Sequence, residues 1–369
     1  MKIKKLIIFS IIVVLTAGVI YFVLNNPDSR GFINNNINKL EGKTLNNKFE
    51  TKIKSGNLST DYNIDKVVSD IDKFKLNTLN VPIVVNVKDL SSSNMTVDKS
   101  SEEKAKKLFK KLRGKKVNII LEPYPWIDNG SKYETAWNPS DINDFFWNWK
   151  NNVLKVLIDD IAVPYHVDAL NIGTSFVNME YAEGYWCDTA DYVRKYYKGL
   201  ITYRTSWWYT ADWKPDTVEA YNKKLNNKFF SKLDFISIAA YFELTNNKTN
   251  SVQNITDAIE STQIYNRKQN VKQEVKNFHS KWNKPIFFGE LGFPKTDEAS
   301  VHPWNPYENS TINNIEQANC FEAYRREFEN EKWLLGFSIF AIGEDGSDKH
   351  YYPSNESTAV IKNWYSSSK

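Results

Sequence analysis

The sequence predicts an α/β fold, a (β/α)8 TIM barrel preceded by an N-terminal transmembrane helix. Three observations predict it. Eight short apolar runs alternate with longer amphipathic stretches after residue 46, and no linker or internal repeat divides them. No Gly-rich phosphate turn follows an early strand, as a doubly wound open sheet usually requires. In order, the candidate strands are Phe49–Ile53, Thr78–Val87, Val117–Leu121, Val167–Ile172, Leu200–Tyr203, Phe235–Ala239, Pro285–Phe288 and Leu335–Phe340. Helical patterns cover Asp65–Phe74, Glu102–Leu112, Ile142–Ile161, Thr189–Tyr197, Asp216–Phe229, Val252–Trp282, Ile315–Phe328 and Ser357–Tyr365. Asn138-Pro139-Ser140-Asp141 and Lys214-Pro215-Asp216 supply capping residues at two helix entries.

Ahead of the barrel, Lys2, Lys4 and Lys5 precede an uncharged apolar run over residues 6–24. At the helical rise this run covers about 28 Å, close to the hydrocarbon thickness of a bilayer. The basic flank predicts a cytoplasmic N-terminus and a single-pass cell-membrane protein with its body outside the cytoplasm. A cleaved signal peptide and a secreted body are the alternative. Against it, Ala17-Gly18 is followed by six more apolar residues rather than a small-x-small exit. Residues 1–24 are therefore the anchor or signal peptide, 25–45 an Asn-rich polar stalk, and 46–369 the barrel.

A hydrophobic fraction of 41% with 25% charged residues supports a packed core and excludes wholesale disorder. The net charge is +4, and the three N-terminal lysines carry most of it. The body is nearly neutral, so no basic face for nucleic acid is expected. Two cysteines exclude a disulfide scaffold or a structural zinc site; Cys187 and Cys320 either pair or stay as separate thiols. Four histidines without an HExxH pattern argue against a zinc hydrolase, and no metal or cofactor is expected. The aromatic content is high: 12 Trp, 20 Tyr and 21 Phe. Flat rings in this number suit the apolar faces of sugars, which makes an oligo- or polysaccharide the expected partner.

In such a barrel the chemistry sits where strands end and loops begin. Those ends read Glu122-Pro-Tyr-Pro-Trp126, Gly173-Thr-Ser-Phe-Val-Asn178, Arg204-Thr-Ser-Trp-Trp208, Tyr241-Phe-Glu-Leu-Thr245, Gly289-Glu-Leu-Gly-Phe-Pro294 and Ala341-Ile-Gly-Glu-Asp345. Glycoside hydrolysis needs two carboxyl groups flanking the bond. Glu290 is the sharpest candidate, because a charge directly after the apolar run Pro285-Ile-Phe-Phe288 is costly without a partner or a use. Its structural alternative is a strand-end Glu that caps a helix or pairs with a Lys. Trp126, Trp207, Trp208, Phe242 and Trp304 are candidates for stacking on sugar rings, whereas Trp147 and Trp149 are expected to pack against the barrel wall. Ser175 and Asn178 stand at the same mouth as candidate substrate contacts. Arg204 would bind an acidic substituent or pair with a neighbouring carboxylate.

These segments resemble clan A glycoside hydrolases, most closely glycoside hydrolase family 113, the β-mannanase-related group. The similarity covers most of residues 75–345, best at Asp168–Thr174, Leu200–Trp207, Phe235–Tyr241, Pro285–Pro294 and Trp333–Phe340. It implies that Glu290 is the nucleophile of a retaining mechanism and that Tyr241 donates a hydrogen bond to it. One departure stands out. The family's fourth strand ends Gly-Thr-Glu, that Glu being the acid/base, and this chain has Gly173-Thr174-Ser175. A serine hydroxyl is too weak an acid to replace it. Either another carboxyl serves or hydrolysis is lost, leaving a glycan-binding barrel or a transglycosylase. The nearby candidates are Glu180, Glu183, Glu122 and Glu243; Glu243, between the apolar Phe242 and Leu244, carries the most weight, with a loop salt bridge as its alternative. Glu122 has a second reading, orienting sugar hydroxyls, and Glu180 and Glu183 are expected to be solvated.

Overall fold

The computed structural model describes residues 45–343, 346 and 348–367. The membrane segment and all of the stalk but Leu45 lie outside them. No helix among the described residues is long and apolar enough to cross a membrane.

Eight parallel strands close into a barrel: β1 (Ile53–Leu58), β2 (Thr78–Val87), β4 (Asn118–Ile127), β5 (Ala169–Thr174), β6 (Leu200–Ser206), β7 (Ile236–Ala239), β8 (Ile286–Leu291) and β9 (Leu334–Ile342). Pairing of β1 with both β2 and β9 completes the closure. The short β3 (Met95–Val97) adds antiparallel to β2 outside the ring.

All eight expected strands overlap their observed positions, seven of them over most of the expected run. The first shares only Ile53: β1 begins there, where the expected Phe49–Ile53 run ends. Its sequence, IKSGNL, directs Ser55 and Asn57 to the same side as Ile53, and that side is the barrel interior. A strand lining a polar interior gives no apolar alternation to detect. Phe49 instead packs edge-on to Phe235, with ring centroids 5.7 Å apart. The expected single helix Val252–Trp282 is two, Val252–Glu260 and Val271–Trp282. Between them Tyr265, Asn266 and Lys268 take positive φ, and Asn270 caps the second helix by accepting from the Gln273 amide at 2.8 Å. The helix from Ile142 runs as expected to Ala162, passing through two π-helical stretches.

The barrel interior is layered. Ile53, Ile120, Ala169, Leu200, Phe235, Phe287 and Leu335, near the strand beginnings, form an apolar floor with Leu45. Two residues further along these strands the interior turns polar, with Ser55, Glu122, Asn171, Thr202 and Ser237 all buried. Outward-facing residues such as Phe288 pack on the helix Asn314–Phe328, its ring 5.0 Å from that of Phe328. Trp149 is fully buried and donates Nε1–H to the Ile172 carbonyl at 2.8 Å, whereas Trp147, expected in the wall, is 59% exposed. Cys187 and Cys320 are free thiols.

Candidate active site

Glu290 owes its position to a bulge. Ile238 pairs with Phe288 but Ala239 pairs with Glu290, so β8 carries one extra residue against β7. Bulges re-aim a side chain, and here the strand that sends Phe287 to the floor also turns Glu290 inward. The Gly289 carbonyl accepts from Asn57 Nδ2 at 2.6 Å and Asn80 Nδ2 at 3.1 Å, fixing the bulge to the polar layer. Gly289 has no room for a side chain: a Cβ would lie 1.9 Å from Ser237 Oγ and 3.1 Å from Arg204 Cδ. Gly289→Ala is therefore expected to lower stability by about 1–3 kcal/mol through overpacking. Ser237→Ala in the same chain should recover part of the loss in a urea melt. Unchanged stability in the single variant would rule out the close packing of this layer.

Arg204, at 2% exposure, organises the site. Its guanidinium forks onto Glu122 through Nη1–Oε2 at 2.6 Å and Nη2–Oε1 at 2.5 Å. The same Nη2 lies 2.8 Å from Glu290 Oε1. Asn171 Nδ2 adds a hydrogen bond to Glu122 Oε2 at 3.1 Å. Of the two readings of Arg204, the structure gives the pairing with carboxylates. Burial works against the guanidinium charge, but Glu122 and Glu290 outweigh it and hold Arg204 protonated above its ordinary range.

Burial pushes the Glu290 carboxyl up, to about 7; Arg204 opposes the rise, the charges of Glu122 and Glu134 add to it, and a hydrogen bond from Tyr241 opposes it. Tyr241 is pushed well above the phenol range by burial and then by Glu290, so it stays a donor. Its ring sits in a small cluster with Ala239 and Tyr351, against which Trp207 packs half-buried. The Glu290 side chain remains 15% exposed, so it is open on one side.

The other expected residues separate. Glu243 pairs with Arg267 at 2.6 Å and accepts from Trp304 Nε1 at 3.0 Å. Both contacts tie Glu243 into its loop, the salt-bridge alternative, with Arg267 as the partner. Glu180 is not solvated: it is buried, 2.6 Å from Lys224 Nζ and 2.8 Å from Thr205 Oγ1. Glu183 is half-buried and accepts from the Lys228 amide at 2.7 Å. Trp208 and Phe242 are buried and meet edge to face at 5.1 Å, with Trp208 Nε1 donating to Glu274 at 2.8 Å, so neither offers a sugar platform. Trp304 is 47% exposed, and Trp126 is half-buried with its ring against Gly130.

Ser175 is buried at the end of β5 with φ of 50°, an uncommon backbone region for a residue with a side chain. Its amide donates to the Arg204 carbonyl at 2.7 Å. Asn178 donates to the carbonyls of Trp137 at 3.1 Å and Thr135 at 3.5 Å, tying the loop after β5 to the loop after β4. That second loop carries Glu134, which the sequence reading missed. Burial pushes its carboxyl up, Arg204 opposes this and Glu122 adds to it. A lone acid in the segment Tyr133-Glu-Thr-Ala-Trp137, seven residues beyond β4, gives no periodic or motif signal.

A carboxylate set at the C-terminal mouth of a (β/α)8 barrel, on an arginine and a tyrosine, is glycosidase geometry, and comparison with known proteins agrees. Structures similar to this chain include a β-1,4-mannanase of family 113, at 18% identity and a TM-score of 0.64, covering 86% of this chain and 99% of that one. A family 113 β-mannanase from Alicyclobacillus acidocaldarius aligns at 15% identity and a TM-score of 0.67, covering 86% and 98%. A family 5 mannosidase from Rhizomucor miehei aligns at 10% identity and a TM-score of 0.54, covering 86% and 92%. At such identities the likeness is one of fold. No curated protein sequence matches the chain. Residues 48–360 match the sequence profile of Glycoside Hydrolase Family 113. With most of its length within that profile and its strands closed into the matching barrel, the chain belongs to Glycoside Hydrolase Family 113.

Proposed function

We propose that this protein is a retaining glycosidase that cleaves a β-linked, mannan-like polysaccharide, with Glu290 as nucleophile. The observation that carries the reading is the seating of Glu290. A bulge turns it into the barrel mouth, Arg204 favours its ionised form, and Tyr241 fixes its orientation by a hydrogen bond. A buried carboxylate with one open side and its charge supported by a guanidinium is arranged to attack an anomeric carbon. Tyr241 then acts as a positioning residue. The substrate class rests on family membership and on the mannanases among the similar structures.

Exposed rings on loops of the same face support a long glycan: Tyr133 after β4, Tyr181 after β5, Trp213 after β6 and Trp304 after β8. The apolar run at residues 6–24 would hold the enzyme at the cell membrane with the barrel outside, in reach of a polymer. N-terminal sequencing of the mature protein tests that placement; a start near residue 20 would mean a secreted enzyme.

One observation favours a second reading. The end of β5 presents Ser175, a hydroxyl, at the place where the resemblance leads one to expect an acid. A barrel that binds mannan without cutting it, or one that passes the sugar to another acceptor, would keep the same cleft. Product analysis on β-1,4-mannan separates the readings. New reducing ends of retained configuration support hydrolysis, lengthened oligosaccharides support transfer, and binding without product supports the impaired barrel.

A further inference from the structure

We propose that Glu134 is the proton donor and acceptor of this site, working across the cleft from Glu290. The inference rests on the nucleophilic role of Glu290 and names the second carboxyl that the reaction needs.

The placement comes from the loop after β4. Ile127 bridges Lys132, and a single 3₁₀ turn over Glu134–Ala136 then delivers Trp137 into the core. The Trp137 ring is fully buried, 5.0 Å from that of Phe145 and 5.5 Å from that of Phe176, and its Nε1 donates to the Ser92 carbonyl at 2.9 Å. Phe176 directly follows Ser175. Asn178, two residues further, holds the Thr135 and Trp137 carbonyls. The turn bearing Glu134 is thus clamped at several points to the loop that leaves β5. The Glu134 charge acts on Arg204, Glu122 and Glu290, and on Tyr124 and Tyr203. Together with the clamp onto the loop that leaves β5, this sets the Glu134 turn beside the groups of the mouth.

The neighbouring carboxyls are already committed. Glu122 occupies both arms of the Arg204 fork, Glu243 pairs with Arg267, Glu180 with Lys224, and Glu183 holds the Lys228 amide. Among the described residues no cation pairs with Glu134. Arg204 touches Glu122 and Glu290 directly, which leaves Glu134 without a contact cation, and burial pushes its carboxyl up.

The step balances. A Glu290 carboxylate oxygen bonds to the anomeric carbon as the glycosidic C–O bond breaks, and the Glu134 proton passes to the departing oxygen. Water then attacks the same carbon, gives its proton to Glu134, and releases Glu290.

The test compares Glu134→Ala and Glu134→Gln with Glu290→Ala in the full chain, on β-1,4-mannan and on 2,4-dinitrophenyl β-mannobioside. A leaving group that needs no proton bypasses the acid in the first step only. Both Glu134 variants are expected to lose about 10²–10⁴-fold on mannan. On the activated glycoside they should show a burst followed by slow turnover, and added azide should restore turnover with a β-glycosyl azide product. Glu290→Ala with azide should give the α-azide instead. Loss in Glu290→Ala with wild-type mannan turnover in both Glu134 variants overturns the assignment of Glu134 alone. So does the absence of the burst and of the β-glycosyl azide in Glu134→Ala. Undiminished activity in Glu290→Ala overturns the functional reading beneath it.

Discussion

Glu290→Ala is expected to lower kcat on β-mannan by on the order of 10⁴-fold or more, because the covalent path disappears and nothing else in the site is aimed at the anomeric carbon. Binding of mannan oligosaccharides should survive within a few-fold. Arg204 keeps Glu122 as its partner in the variant, so the buried guanidinium is not left without a counter-charge. The same residue sets the pH response. A carboxyl raised to about 7 is increasingly protonated, and so inactive as a nucleophile, as the pH falls through that value. In wild type kcat/KM should therefore climb with pH along a limb near 7. Removing a repelling charge by Glu122→Gln should shift that limb to lower pH. A profile flat from pH 5 to 8, or equal kcat in Glu290→Ala and wild type, would refute the role.

Arg204→Met is expected to be the most destabilising single change in the barrel interior. The guanidinium neutralises Glu122 and Glu290 where both side chains are largely removed from water. Breaking a buried pair of this kind costs about 3–5 kcal/mol, since it leaves uncompensated charge behind. Urea unfolding should show the loss, and the rising limb of any residual activity should move to higher pH as Glu290 loses its cation. Adding Glu122→Gln removes one of the stranded charges and should return part of the stability, a coupling visible in the double-variant cycle. Stability within about 1 kcal/mol of wild type in Arg204→Met would mean that the two carboxylates do not depend on this fork.

Much of the barrel is legible in the sequence because its outward strand faces and helix faces are apolar at fixed periods. Thr78–Val87 matches its strand end to end, and Pro285–Phe288 anticipates β8 from its buried run. The misses share a cause. β1 lines the polar layer, so Ser55 and Asn57 conceal it. The break at Ser261–Asn270 rests on caps and positive φ values, which an apolar pattern running through both flanking helices does not reveal. Among site residues, Glu290 stands out as a charge after an apolar strand, and Arg204 as a strand-end cation with two open readings. Trp208 and Phe242 look like sugar platforms in sequence and are core in the fold. An aromatic residue at a strand end carries the same letter whether its ring faces the cleft or the helices.

The sequence by itself determined the alternation that closes a barrel, the family, and the strand ends where chemistry is possible, since hydrophobic periodicity and short motifs are local properties of the chain. Tertiary structure decided which carboxyl groups belong together. It set Glu122 and Glu290 on one guanidinium, drew Glu243 and Glu180 away into their own ion pairs, and brought Glu134 in from a loop. The physical reason is that a carboxyl's role depends on burial and on neighbouring charge, and those neighbours come from strands tens of residues away.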